Sequence, residues 1–263
     1  MIIDCHTHLG SHNNRDFEAD DLLNSMRRAG VEYSLVIANR TRGEGLTTDD
    51  VIQITKKNPK LKAIGNIEFD TLDLDQIEKL KGYLKDRKIF GVKLYLGYEE
   101  FYADDPKLSP LYKFCEKQGY PVVYHTGVLE VGYKGLLKYS HPLTIDNVAA
   151  SFPNLKIVIA HMGNPWILDC GAVMLKNDNV YMDLSGFFDE YKSIAKEQVN
   201  FFIKRLWEFR QFVREFKKCL FGTDYPLYSQ KEYLDAALKL PLDKEDRDLV
   251  FWKNAKEIFN LDI

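Results

Sequence analysis

Short β-branched and aromatic runs recur along this chain at intervals near thirty residues, and each is followed by a longer stretch of helical periodicity. Strands are predicted at 2–6, 33–38, 61–68, 89–95, 121–125, 156–161, 180–184 and 218–222. Helices are predicted at 20–29, 48–57, 73–86, 109–118, 144–151, 165–175, 193–215 and 231–239. With His8, Ala38, Glu68, Tyr95, His125, His161, Asp183 and Asp224 marking the strand ends, the intervals are 30, 30, 27, 30, 36, 22 and 41 residues. Eight β-α units of this size fill about 250 residues, the length of a (β/α)8 TIM barrel. The 263 residues therefore leave no room for a second folded domain, and 245–259 reads as a closing helix. The expectation is an α/β chain forming one (β/α)8 TIM-barrel domain over 1–263.

Charge narrows the partners. Lys and Arg number 36 against 39 Asp and Glu, a net charge of −3, which lacks the basic footprint of a nucleic-acid binder. No apolar run is long enough to span a membrane, and the N-terminus lacks the pattern of a secretory signal. Cys5, Cys115, Cys170 and Cys219 are scattered and read as reduced thiols. These features predict a cytoplasmic protein acting on a small molecule.

The chemistry concentrates at the predicted strand ends. In Asp4-Cys5-His6-Thr7-His8, period-2 alternation places Asp4, His6 and His8 on one face, with Cys5 and Thr7 opposite. Two imidazoles on one strand face can converge on a divalent ion. His125, His161 and Asp224 sit at the ends of later strands, on the face where barrel active sites form. An open sheet would hold the first and last strands several spacings apart, whereas a closed barrel makes them neighbours.

In this arrangement the chain resembles the amidohydrolase-related branch of the amidohydrolase superfamily, metal-dependent barrel hydrolases and decarboxylases. The resemblance rests on Asp4-x-His6-x-His8, Gly91-Val92-Lys93-Leu94-Tyr95, 121–127, Ala160-His161-Met162-Gly163, Gly222-Thr223-Asp224-Tyr225-Pro226 and Asn254-Ala255. It implies that His6, His8, His125 and Asp224 are ligands of one catalytic metal, zinc by preference, and that His161 is the acid/base residue. Chemistry is consistent with those roles. Catalytic zinc needs an open position for water, Asp224 could accept that water's proton, and an imidazole such as His161 exchanges protons near neutrality.

Lys93 leaves three readings open: a carboxylated bridge between two metals, as in binuclear members of the superfamily, a cation for an anionic substrate, or a lysine satisfied by barrel carboxylates. Tyr95 is predicted to contact substrate, and Tyr98, Phe101 and Tyr102 either wall the cavity or pack their own loop. Asn164, Trp166, Ser185 and Tyr225 are weaker contact candidates. His12 and His141 read as surface residues, His12 close enough to the first strand to line the mouth. Gly43-Glu44-Gly45 reads as a turn. The stretch 192–218 reads as an amphipathic helix whose apolar residues, Phe201 and Phe212 included, cover the barrel. A homodimer through this helix is compatible with the pattern.

The leading expectation is a metal-dependent hydrolase of an amide, ester or lactone carbonyl. The alternative is a non-oxidative decarboxylase or hydro-lyase acting on an anionic aromatic or unsaturated acid, with Lys93 binding the carboxylate. The superfamily's deoxyribonuclease relatives carry a glutamate where this chain has Lys93, which argues against a nuclease. A metal-stabilised scaffold would have no use for an acid/base neighbour such as His161.

Overall fold

The computed structural model describes residues 1–263. Eight strands, β1 (Ile3–Thr7), β2 (Tyr33–Ile37), β3 (Leu61–Asn66), β4 (Val92–Leu94), β5 (Val122–Tyr124), β6 (Ile157–Ile159), β7 (Val180–Asp183) and β8 (Cys219–Leu220), pair in parallel in sequence order. Backbone hydrogen bonds from Cys5 N–H to Phe221 O (3.0 Å) and from Asp224 N–H to His6 O (2.8 Å) bring β8 against β1 and nearly close the barrel. Every predicted strand is present, seven of them trimmed at their ends by up to three residues and β1 shifted forward by one to end at Thr7.

A covering helix follows each strand, with an extra helical turn Leu137–Ser140 after β5: α1 (Ala19–Ala29), α2 (Thr48–Thr55), α3 (Leu74–Lys85), α4 (Ser109–Gln118), α5 (Asp146–Ser151), α6 (Ile167–Lys176), α7 (Lys196–Val213) and α8 (Gln230–Ala237). Their starts are locally encoded. Thr47 caps α2 by accepting the Asp50 N–H while the Asp50 carboxylate accepts the Thr47 N–H, which satisfies two otherwise free donors. On α7 the buried stripe is Val199, Phe202, Leu206, Phe209 and Val213. Phe201 and Phe212 were expected on that stripe but are exposed, because eleven residues of helix bring them onto one common face pointing away from the barrel.

The core has two layers. Ile3, Cys5, Leu35, Ile37, Ile64, Val123, Val158 and Leu220 fill the barrel interior, and Ala255, Ile258, Phe259 and Leu261 cap them from the end where the strands begin. Val36, Val92, Tyr124, Ile157 and Met182 face outward into the helices. The closing helix runs as Lys244–Asp248, a π-helical turn Leu249–Lys253, and Asn254–Ile258. Asn254 fastens it by donating to Lys217 O (2.8 Å) and Cys219 O (2.7 Å) at the start of β8. No helix is long and apolar enough to cross a membrane.

The alternation expected in β1 fails at one point. Pairing with β2 shifts register between Asp4 and Thr7, the mark of a β-bulge. Cys5 consequently joins the interior rather than pointing away, and Asp4 leaves the face shared by His6 and His8. Asp4 is buried at the β1–β8 seam. Its Oδ1 accepts from Thr223 N (3.0 Å) and His6 N (3.2 Å), and its Oδ2 accepts from Thr223 Oγ1 (2.6 Å) and Gln230 Nε2 (2.8 Å). Burial raises its pKa to about 7 against these donors. Asp4 is therefore a seam residue that ties β1 to β8 and to the first turn of α8.

Candidate metal centre and active site

Chain geometry at the C-terminal ends of the strands concentrates strain where the polar residues meet. His161 and Asp224 both have positive φ, 61° and 64°, a region that non-glycine residues avoid unless surrounding structure enforces it. Two glycines make room for the histidines. A Cβ at Gly222 would lie 2.9 Å from His6 Cβ, and one at Gly186 would lie 2.7 Å from His161 Nδ1.

His6, His8 and Asp224 form one compact group of ligand atoms and His6, His161 and Asp183 a second, each within 4.8 Å across. In the first, His6 Nε2 is 3.5 Å and His8 Nε2 is 3.3 Å from Asp224 Oδ1. The opposite ring nitrogens set the tautomers. His6 Nδ1 meets Asp183 Oδ2 at 2.8 Å and His8 Nδ1 meets Ile37 O at 3.1 Å, both acceptors, so each Nδ1 carries the proton and each Nε2 presents a lone pair. Two lone pairs and a carboxylate oxygen thus converge, an arrangement that repels unless a cation is shared. Ligands about 2.1 Å from a tetrahedral metal are about 3.4 Å apart, which matches the observed separations. The donor set therefore fits a divalent ion.

Electrostatics keep these groups in ligand form. Burial, reinforced by the Lys93 charge, lowers the His6 pKa, and burial with His161 and Lys93 holds His125 well below the usual imidazole value. Burial lowers His161 to about 3. Burial acts in the opposite sense on Asp224, but the imidazoles of His6, His161 and His8 hold its carboxyl well below the ordinary range. Neutral imidazoles beside an ionised carboxylate are what metal binding requires.

The other predicted residues are distributed as follows. Lys93 is fully buried and faces inward, with Nζ 3.4 Å from His6 Nε2 and 5.3 Å from the Tyr95 ring. Burial lowers its pKa to about 8, partly offset by Asp183 and Asp224, so it remains largely a cation at neutral pH. His125 lines the cavity but lies outside both compact groups, its Nε2 directed at Val128 O (3.2 Å). The His161 ring lies 4.8 Å from His6 and 4.9 Å from His125. Tyr95 lines the cavity and donates to Ala38 O (2.9 Å). Tyr98 and Asn164 also line it, whereas Phe101 stacks on Phe69 at 3.8 Å and Tyr102 meets Tyr139 edge to face at 4.6 Å. Trp166 packs on His141 at 4.7 Å, and Tyr225 packs against Phe17 at 5.9 Å, outside the main cavity.

Several residues of the site carry no clear mark in the sequence. Asp183 marks no more than a strand end in the sequence, yet its Oδ2 holds His6 while its Oδ1 accepts the backbone N–H of His161 and of Ser185, both at 3.0 Å. Ser185, considered as a substrate contact, is fully buried and instead joins Asp183 Oδ1 to His161 Nδ1, which it meets at 2.8 Å. His12 lines the mouth rather than the outer surface, lifted there by a hairpin of Gly10–His12 and Arg15–Phe17, and burial lowers its pKa to about 4. Asn13 and Asn14, both at positive φ, are the turn signal for that hairpin. Glu44, at the expected turn, and Glu190 also line the cavity, which encloses about 260 Å³.

Comparison with known proteins agrees with this architecture. A 2-amino-3-carboxymuconate-6-semialdehyde decarboxylase from Dictyostelium discoideum is 23% identical over 208 residues, covering 68% of this chain and 55% of that protein, so the chain spans little more than half its relative's length. An amidohydrolase from Burkholderia multivorans solved with bound zinc superposes with a TM-score of 0.76, at 15% identity and 99% coverage of both chains. A dihydroxybenzoic acid decarboxylase from Polaromonas sp. JS666, solved with manganese and the inhibitor 2-nitroresorcinol, gives 0.72, at 14% identity, covering 100% of this chain and 97% of the other. At such identities the two structures establish the fold. The family model described as amidohydrolase matches residues 3–261, and the chain belongs to that family.

Proposed function

We propose that this protein is a metal-dependent, non-oxidative decarboxylase of a small aromatic or unsaturated acid. The observation that carries the reading is the buried Lys93 ammonium beside the converging acceptors of His6, His8 and Asp224, at the floor of a cavity walled by Tyr95 and Tyr98. A carboxylate entering this floor meets a fixed cation away from bulk water, where charge pairing is strong. The names of the Dictyostelium relative and the Polaromonas structure support decarboxylation over the hydrolysis first expected.

His6, His8 and Asp224 would hold the ion, with His125 at the cavity wall as a further donor. The donor set suits zinc, and one ion accounts for the compact group. When bound, a divalent ion supplies Lewis-acid polarisation of a substrate oxygen. Lys93 pairs with the substrate's negative charge, and the tyrosine rings orient its plane. His161 has Nδ1 engaged by Ser185, which leaves Nε2 to exchange a proton with substrate carbon. The carbon–carboxylate bond breaks, carbon dioxide departs, and a proton drawn from a water molecule through the His161 Nε2 lone pair occupies the vacated position on the carbon that keeps the electron pair, leaving hydroxide.

A second reading, hydrolysis of an amide, ester or lactone, is favoured by Asp224 Oδ2, the oxygen not engaged by His6 and His8 and therefore free to take a proton from water. Incubating metal-loaded protein with hydroxy- and amino-substituted aromatic acids separates the two. Decarboxylation predicts carbon dioxide equimolar with product and abolished by chelation. Cleavage of esters or lactones with no carbon dioxide from any acid would replace it with hydrolysis.

A further inference from the structure

The cavity has a charge gradient that the expected anionic substrate does not explain. Lys93 is its only lysine or arginine and lies at the floor, while Glu44, Glu130 and Glu190 line its outer part with no lysine or arginine within ion-pairing distance. Counting Lys93 as +1 against Asp224 and the three glutamates gives 1 − 4 = −3, so even a divalent ion leaves the lining net negative. The outer part also carries aromatic faces. Tyr98 lies 4.6 Å from Tyr133 and 4.7 Å from His125, and Tyr228 is 5% exposed with its hydroxyl making no hydrogen bond within the protein. Tyr133 already has the Arg42 guanidinium 5.9 Å from its ring, whereas Tyr98 and Tyr228 line the cavity with no lysine or arginine over their rings.

We infer that the outer half of this cavity is a subsite for an organic cation, formed by Glu130, Glu190, Tyr98 and Tyr228, and that the substrate is an amine-bearing acid bound with its carboxylate toward Lys93. Carboxylates beside cavity-lining tyrosines recognise ammonium groups by charge-assisted hydrogen bonds and by attraction to the ring faces. The idle Tyr228 hydroxyl supplies a further acceptor. Burial, the Glu130 carboxylate and Asp224 together raise the Glu190 pKa, as expected for a carboxylate held without a counter-charge. A second carboxylate on the substrate would face these glutamates and be repelled. The inference rests on the cavity being the substrate site and narrows the proposed acid to one with a positive or amine-bearing end.

Calorimetric titration of metal-loaded protein with three probes tests this without turnover: 4-(aminomethyl)benzoate as zwitterion, benzoate as monoanion and terephthalate as dianion. The zwitterion should bind at least about fivefold tighter than benzoate, and terephthalate weakest. The Glu130→Gln/Glu190→Gln double variant should erase the zwitterion's advantage while leaving benzoate affinity within about twofold. Glu190→Lys should invert the order of zwitterion and dianion. Terephthalate binding as tightly as the zwitterion, no measurable zwitterion binding at millimolar concentration, or a preference unchanged in the double variant would overturn the subsite. If the binding order holds but no acid releases carbon dioxide, the decarboxylase reading fails and the subsite stands. If dianions are decarboxylated and amine-bearing acids are refused, the reverse follows.

Discussion

Asp183 Oδ2 accepts the Nδ1 proton of His6 at 2.8 Å, and this contact determines which nitrogen of His6 faces the cavity. Through Oδ1 the same carboxylate holds the His161 backbone and Ser185. One buried side chain from the end of β7 thereby orients a proposed ligand and the proposed acid/base residue together. Although burial opposes its ionisation, His6, His161 and Lys93 keep it a carboxylate at all physiological pH values.

Replacing Asp183 by Asn should weaken metal affinity about 10- to 100-fold, because the His6 tautomer is no longer fixed by an anionic acceptor. Competition with a chelator of known affinity measures the loss. Affinity within about threefold of the parent protein would show that His6 needs no such partner.

His161→Asn should lower kcat by at least about a hundredfold while the metal content remains at the parent level. Metal analysis alongside turnover separates the acid/base role from ligation. Loss of the metal with the activity would place His161 among the ligands.

Asp4→Ala removes the acceptor of four buried donors at the barrel seam, two from Thr223 and one each from His6 and Gln230. Leaving such donors unpaired should cost about 2–4 kcal/mol. Chemical denaturation measures it, and a change below about 0.5 kcal/mol would mean that the seam closes without Asp4.

Glu99 gives a pH dependence separate from the metal site. It is fully buried, its Oε1 accepts from Phe69 N (2.7 Å), and its Oε2 has no partner. Burial, with Asp70 and Glu68 nearby, raises its pKa from 4.5 to about 7. Below pH 4.5 the group is protonated folded and unfolded; between 4.5 and about 7 the unfolded chain ionises first, so stability falls as pH rises. Glu99→Gln keeps an acceptor for Phe69 and cannot ionise. The variant should therefore gain about 1–3 kcal/mol relative to the parent across this window, with no further change above it. A pH-independent difference would contradict the shift.

The barrel was legible because strand and helix alternate with a regular unit length and because β-branched runs mark each strand. His6, His8, His161 and Asp224 were legible because polar residues at strand ends are conspicuous against those runs. The bulge in β1 was not, since an extra residue in a strand leaves no trace in composition, and it moved Asp4 to the seam. The hairpin carrying His12 escaped because three-residue strands are too short to show a period, although Asn13-Asn14 was there to be read. Glu44, Glu130 and Glu190 reach the cavity from loops, where sequence carries no facing information. The role of Asp183 depends on the distance between β7 and β1, 177 residues apart in the chain.

The roles proposed for this site all require that His6, His8 and Asp224 share a divalent ion. Anomalous diffraction collected at the absorption edge of the metal found in the purified protein tests it directly. One peak is expected about 2.0–2.2 Å from His6 Nε2, His8 Nε2 and an Asp224 carboxylate oxygen. No peak between these atoms, or a single peak elsewhere in the barrel, would contradict it.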